Sequence, residues 1–105
     1  MNSLCCFIVI STQKELELFW NNLKDPLLDS GLKIFICKPK SLKINRFHGC
    51  EIYEPEVFAL TGEENRSQMC NYFKNCSRIL FIDPDETYSG ELLKRIIEWH
   101  IDANS

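Results

Sequence analysis

The sequence predicts a small three-layer α/β sandwich, in which a mostly parallel sheet of three to four strands lies between three helices in the order βαβ(β)αβα. Two observations indicate this fold class. Short apolar runs alternate with amphipathic helical patterns, and each run is apolar at nearly every position, as in strands that are covered on both faces. With 105 residues the chain has the size of one domain, so we expect a single α/β domain over 1–105.

The first part of the chain contains a βαβ pattern. The run LCCFIVI at 4–10 predicts a strand in the centre of the sheet. Thr12 and Glu15 form a capping box in front of an amphipathic helix, which we expect to end near Lys24 because a proline follows closely. The run LKIFIC at 32–37 predicts a second strand, parallel to the first and joined to it by a right-handed crossover.

The second part of the chain continues the alternation. A short strand near Ile52 is expected at an edge of the sheet, because Pro55 cannot donate a hydrogen bond to a neighbouring strand. Thr61 and Glu64 form another capping box, ahead of a helical pattern that continues to Cys76. The chain then ends in a third buried strand and a helix, at RILFI (78–82) and around Leu92, Leu93, Ile96, Ile97 and His100 or Ile101.

Charge and hydropathy argue against some classes of partner and some cellular locations. The formal net charge of −3 and the pI near 5.3 argue against a protein that coats nucleic acid through its overall field. The longest apolar run is far shorter than the roughly 20 residues of a membrane-spanning helix. No Lys or Arg precedes that run, as it would in a secretory signal. We therefore expect a cytoplasmic protein that does not enter a membrane.

Six cysteines lie along the chain, and no two of them form a CxxC pair. This removes the thioredoxin-type redox motif and the commonest spacing of structural zinc ligands. Cys5 and Cys6 are adjacent in the first predicted strand and should point to opposite faces of the sheet, and Cys37 ends the second strand. We expect mainly buried, reduced thiols, as is usual in the cytosol, and no cofactor.

The segment DPDE at 83–86 follows the third predicted strand, at the edge where open α/β sheets bind ligands. Two interpretations remain open. Asp83 and Asp85 can hold Mg²⁺ through their carboxylate oxygens. Alternatively, Asp83 caps the last helix, Pro84 takes its first position, and Asp85 and Glu86 complement the positive end of the helix dipole.

The start of the last helix decides whether these acids are used in capping. Gly90 would cost roughly 1 kcal/mol in a helix interior. If the helix begins at Ser89 instead, residues 83–88 form an exposed loop.

The DPD motif followed by GE after a hydrophobic strand resembles the acidic motif of the Toprim domain of topoisomerases, primases and small nucleases. The resemblance implies a Mg²⁺-dependent phosphoryl-transfer or nuclease module, with Asp83 and Asp85 as metal ligands. That family also uses a glutamate at the end of the first strand, where this chain has Ile10, Ser11 and Thr12. Because this acid is absent, metal-dependent catalysis is the alternative hypothesis rather than the leading one.

Opposite charges separate along the middle of the chain. Residues 33–48 contain basic side chains and no acidic ones, whereas 51–64 contain glutamates and no basic side chains. The basic segment predicts a second alternative, contact with nucleic-acid phosphates through Lys38, Lys40, Lys43 and Arg46. The neighbouring glutamates would repel a nucleic-acid backbone, which makes this alternative less favoured.

The leading hypothesis is a non-enzymatic acidic module that binds a protein partner with a basic surface. Charge would steer the encounter, and aromatic side chains would anchor the complex. The expected contact residues are Glu51, Tyr53, Glu54, Glu56, Phe58, Asp83, Asp85 and Glu86. A small immunity or inhibitor protein that masks a nuclease toxin or another effector fits this description. The sequence also contains no glycine-rich phosphate loop that would point to an enzyme.

Overall fold

A computed structural model describes residues 4–43, 49–59, 61–74, 76–86 and 89–103. Within these ranges the chain forms an α/β fold, as the sequence predicts. Its radius of gyration is 13.5 Å, close to the value expected for one domain of about 100 residues. No helix in the described ranges is long and apolar enough to cross a membrane.

The described residues form a sheet of four parallel strands, which are β1 (Leu4–Val9), β2 (Lys33–Cys37), β3 (Cys50–Tyr53) and β4 (Arg78–Phe81). Their spatial order is β3-β2-β1-β4. β1 lies between β2 and β4, and β3 lies at an edge. The predictions of a central first strand and of an edge strand near Ile52 are therefore confirmed.

Helical residues connect these strands. α1 (Gln13–Leu18), a π-helical segment (Phe19–Leu23) and α2 (Lys24–Asp29) follow one another without a break between β1 and β2. α3 (Gly62–Tyr72) precedes β4, and α4 (Gly90–Ala103) follows it. The described residues thus form three helical stretches, the number that the sequence predicts.

Two hydrophobic cores lie on opposite faces of the sheet. Cys6 and Ile8 of β1 belong to the larger core, which includes Leu93 of α4 and the buried residues of α1, the π-helical segment and α2. Cys5 belongs to the smaller core, in which Met69 of α3 is buried. Neighbouring residues of β1 enter different cores because successive side chains of a strand point to opposite faces.

The first helical stretch is longer than predicted. Its capping box is present: the Thr12 hydroxyl accepts a hydrogen bond from the Glu15 N–H at 3.1 Å, and the Glu15 carboxylate accepts one from the Thr12 N–H at 3.2 Å. The predicted end near Lys24 is wrong, because helical residues continue to Asp29. Pro26 comes three residues after the π-helical segment, where the regular i→i−4 hydrogen-bond pattern is already interrupted, so the proline does not end the helical stretch.

α3 begins where the sequence predicts and ends earlier. The Thr61 hydroxyl accepts a hydrogen bond from the Glu64 N–H at 3.2 Å, which caps the first turn. The helix stops at Tyr72 instead of continuing to Cys76, because the backbone of Phe73 is extended. The residues that follow Tyr72 therefore leave the helix and can contact the amino ends of the strands.

Ser89 caps the last helix. The Leu92 N–H donates a hydrogen bond to the Ser89 hydroxyl at 3.1 Å, and α4 begins at Gly90. The interpretation of Asp83 as the cap of this helix is therefore wrong. Gly90 lies at the start of the helix, where a glycine lowers helix stability only a little. The acids after β4 lie outside the helix.

The buried stripe of α4 is narrower than predicted. Leu93 and His100 are buried, and Ile97 packs against the larger core. Leu92 and Ile101 are 43% and 58% exposed, so they lie outside the stripe.

Cys5 and Cys76 form a disulfide, which corrects the expectation of reduced cysteines at these two positions. Their Cα atoms are 5.8 Å apart, within the range that a disulfide bridges. The register explains the contact: Leu4 of β1 pairs with Arg78 of β4, so the chain entering β4 passes the start of β1. The other cysteines are free thiols, at Cys6, Cys37, Cys50 and Cys70.

Candidate functional site

A cleft of about 310 Å³ opens at the carboxyl ends of β1 and β4, where open α/β sheets hold ligands. Its walls come from the end of β1, the start of α3 and the turn after β4. They include Ser11, Glu15, Phe58, Arg66, Asp83 and Asp85. The structure therefore brings three of the predicted contact residues, Phe58, Asp83 and Asp85, to one cleft.

The Glu15 carboxylate faces this cleft, but local donors already bind it. It accepts hydrogen bonds from the backbone N–H of Ser11 at 3.0 Å and of Thr12 at 3.2 Å, and it also contacts the Ser11 hydroxyl. The carboxylate thus completes the cap of α1. Its negative charge still contributes to the electrostatic field of the cleft.

Arg66 of α3 binds the carboxylate of Asp83. The Arg66 Nη2 atom lies 2.7 Å from Asp83 Oδ1, and the guanidinium also lies over the ring of Phe81, 5.3 Å from its centroid. Asp83 forms a closed turn as well: its N–H donates to Glu86 Oε1 at 2.8 Å, and its carbonyl accepts from the Glu86 N–H at 3.0 Å. Asp83 and Glu86 are therefore held by the protein itself.

Asn65 fixes the wall that α3 contributes. Its side chain is 1% exposed, and its oxygen accepts a hydrogen bond from the Ala59 N–H at 3.0 Å. Its Nδ2 donates to the carbonyl of Ala59 at 3.2 Å and to that of Thr61 at 3.1 Å. The buried Asn65 amide thus provides hydrogen-bond partners for the backbone groups that lead from β3 into α3, next to Phe58.

Two predicted contact residues form ion pairs beyond the carboxyl ends of β2 and β3. Glu54 lies 3.3 Å from the ammonium of Lys38, and Glu56 lies 3.1 Å from that of Lys40. The Glu54 carboxylate is 42% exposed and the Glu56 carboxylate 91%. Glu56 therefore remains accessible to a partner, and each of these charges has an opposite charge close by.

Glu51 and Tyr53 lie away from the cleft. Glu51 is on β3 and lines a different pocket, which opens toward the amino ends of the strands. The Tyr53 ring stacks on that of Tyr72, with the ring centroids 4.4 Å apart, and packs against the smaller core. Among the described residues of this segment, Val57 is the most exposed apolar side chain, at 77%.

Three acids are exposed in the two segments that form the cleft wall after β4 and at the start of α3. They are Asp85 in the turn after β4 and Glu63 and Glu64 in the first turn of α3. In the described part of the chain, none of the three side chains forms an ion pair. We call Asp83, Asp85, Glu86, Glu63 and Glu64 the acidic edge.

The predicted nucleic-acid contacts are only partly available. Lys38 is 5% exposed, and its ammonium donates to the carbonyl of Leu42 at 2.8 Å, in addition to its contact with Glu54. Lys40 is paired with an acid, Lys43 is exposed, and Arg46 lies outside the described residues. Binding of nucleic acid by this segment stays a prediction, without Lys38 as a phosphate contact.

The predicted metal ligands Asp83 and Asp85 both line the cleft. A cation bound to Asp83 would compete with the guanidinium of Arg66 for the same carboxylate. Within the described ranges, no three His, Cys, Asp or Glu side chains are grouped in a way that suits a metal ion. The metal-dependent alternative stays a prediction.

The sequence patterns did not identify Asn65 and Arg66 as residues of this edge. Both follow the second capping box directly, and a helix that starts at the carboxyl edge of a sheet places its first turns there. The capping box is thus the signal from which they were predictable.

No protein-family model, curated protein or solved structure matches the chain.

Proposed function

We propose that this protein is a non-enzymatic binding module that uses its acidic edge to mask a basic protein partner, as a small immunity or inhibitor protein does. The partner class is a protein with a cationic functional surface, such as a nucleic-acid-cleaving effector. The observation that carries the proposal is the collection of exposed carboxylates at the edge where this fold class binds its ligands.

The charge of the acidic edge is poorly compensated by the protein. Arg66 neutralises Asp83, whereas Asp85, Glu63 and Glu64 have no ion-pair partner among the described residues. Acids from two separate segments thus add to one field, which raises the rate at which a cationic protein approaches. A basic active site would meet charges that resemble those of its anionic substrate.

Apolar side chains lie beside these charges. Val57 is 77% exposed, and Phe58 is half-buried in the cleft wall. An interface that combines an apolar centre with charged residues around it has the composition of a specific protein contact. Val57 and Phe58 therefore replace Tyr53 as the proposed anchors.

Masking requires a rigid surface more than it requires a reactive group. Asn65 holds the backbone ahead of α3, and the turn between Asp83 and Glu86 is closed by two hydrogen bonds. A surface that is fixed before binding loses less conformational entropy when the partner docks. We propose the cytoplasm as the compartment of the complex; the four free thiols fit a reducing compartment, whereas the Cys5–Cys76 disulfide is unusual there.

The proposal is tested by affinity capture with three forms of the protein. The edge variant carries Asp85→Lys, Glu63→Lys and Glu64→Lys. The control variant carries Glu17→Lys, Glu91→Lys and Glu98→Lys, which changes the net charge equally at exposed positions of α1 and α4. Wild type and control are expected to retain the same basic protein at about 50 mM salt and to release much of it at about 300 mM.

The edge variant is expected to lose that protein. Retention of the same partner by the edge variant would contradict the proposed surface. Capture of a partner with an acidic binding face would contradict the proposed partner class.

A further inference from the structure

A second pocket lies at the opposite end of the sheet, near the amino ends of β2 and β3. Its volume is about 490 Å³, within the range of pockets that hold small molecules. Its walls include Lys33, Glu51, Tyr72, Phe73, Lys74 and the Cys5–Cys76 disulfide. None of these residues except Glu51 belongs to the predicted protein contact surface, so this pocket is independent of the acidic edge.

Among the described residues, α3 is the one helix that covers this face of the sheet, which leaves room for the pocket. α3 contacts β1 and β2, and it ends at Tyr72. The start of β3 is therefore left open on this face, with the charged residue Glu51 pointing outward from the strand. After the helix, the chain turns back to the sheet and is fixed there by the disulfide of Cys76.

Aromatic rings form one wall. The Phe73 ring packs on that of Phe35, 4.3 Å between centroids, and Tyr72 stands edge-on to Phe73 at 4.8 Å. One face of Tyr72 stacks on Tyr53, while the residue remains 60% exposed. The wall thus presents an ordered aromatic surface with an open side, which suits a planar ring.

Two cations converge on the same pocket. Lys33 begins β2, and Lys74 follows the end of α3. Both are exposed, and neither makes an ion pair with another residue in the described part of the chain. Two such lysines favour an anionic group, because each ammonium is an uncompensated hydrogen-bond donor. Glu51 adds one acceptor on another side.

We propose that this pocket binds a small planar aromatic anion of the class of the nucleoside monophosphates. The ring lies against Tyr72 and Phe73, the anionic group lies between Lys33 and Lys74, and Glu51 accepts a hydrogen bond from an amino group of the ring. This arrangement uses the charged side chains among the described residues of the pocket wall and leaves the disulfide as an apolar part of that wall.

Three matched compounds test the proposal on the oxidised protein. AMP supplies the ring and the anion, adenosine supplies only the ring, and ribose 5-phosphate supplies only the anion. NMR titration is expected to show saturable shifts at Lys33, Glu51 and Lys74 with AMP. Adenosine and ribose 5-phosphate are expected to bind at least about tenfold more weakly, since each loses one set of contacts.

A pair of lysine variants distinguishes this site from a general attraction of anions. Lys33→Ala combined with Lys74→Ala is expected to weaken AMP binding by at least about tenfold. Lys14→Ala combined with Lys94→Ala removes the same charge at exposed positions elsewhere and is expected to leave the affinity unchanged. No saturable shift with AMP, shifts at the acidic edge instead, or equal effects of the two double variants would overturn the proposal.

Discussion

The guanidinium of Arg66 lies 2.7 Å from the carboxylate of Asp83. This ion pair neutralises Asp83 and would compete with a cation for its carboxylate. Asp83 does not cap α4, because Ser89 has that role. It belongs to a turn closed with Glu86 and anchored to α3. The DPDE segment is therefore neither a helix cap nor an unoccupied pair of carboxylates, but one part of a preformed anionic surface.

Addition of Mg²⁺ is expected to produce no saturable NMR shifts at Asp83 or Asp85. The reason is that Arg66 already neutralises Asp83, and Asp85 alone is a weak site for a cation that prefers several oxygen ligands. A titration with Mg²⁺ up to about 10 mM checks this. Saturable shifts confined to these two residues would support the metal-dependent alternative instead.

Replacement of Lys38 by methionine is expected to lower the free energy of unfolding by about 1–3 kcal/mol. The buried Leu42 carbonyl would lose its hydrogen bond, and Glu54 would lose its ion-pair partner. Lys40→Met is the matched control. It breaks an exposed pair with Glu56 and should cost less than about 1 kcal/mol. Urea unfolding of the two variants measures both values, and equal costs would show that Lys38 is not buried as described.

Loss of the disulfide is expected to destabilise the fold. The bond joins residues separated by 71 positions, and in the chain-entropy model such a crosslink contributes about 4 kcal/mol by restricting the unfolded chain. Cys76→Ser should show this loss in urea unfolding, whereas Cys70→Ser, at an exposed free thiol, should not.

Thiol counting gives an independent check of the same bond. Alkylation of the denatured, unreduced protein should label the four free cysteines, with the remaining two labelled only after reduction. Labelling of all the cysteines without a reductant would support the expectation from the sequence.

Stability is expected to fall as the pH rises above about 9. Burial raises the pKa of the Cys6 thiol from an ordinary value of 9.0 to about 12, with a smaller contribution from the neighbouring Cys50. The unfolded protein therefore loses this proton while the folded protein keeps it. Stability that is fully present below pH 9 is lost progressively as the pH rises toward 12.

The variant Cys6→Ala isolates this effect from the titration of lysines and tyrosines. Its unfolding free energy should fall less steeply between about pH 8 and pH 10.5 than that of the wild type. Parallel curves for the two proteins would show that Cys6 does not titrate differently in the folded and unfolded states.

The sequence was sufficient for the elements whose pattern is local. The run at 4–10 predicted the central strand, because a strand buried on both faces must be apolar throughout. The sequence did not predict contacts between segments that are distant along the chain. Cys76 reaches Cys5 only through the register of β1 with β4, and Lys38 is buried only because the loop after β2 folds back to Leu42. Neither contact leaves a periodic signal.

The central claim concerns the acidic edge, and association kinetics with the captured partner test it most directly. At about 20 mM salt, the variant Asp85→Lys/Glu63→Lys/Glu64→Lys should associate at least about tenfold more slowly than wild type, and the difference should shrink at about 300 mM. The control variant Glu17→Lys/Glu91→Lys/Glu98→Lys should differ from wild type by less than about threefold. Equal slowing of the two variants, or a rate in the edge variant that matches wild type at low salt, would contradict the claim.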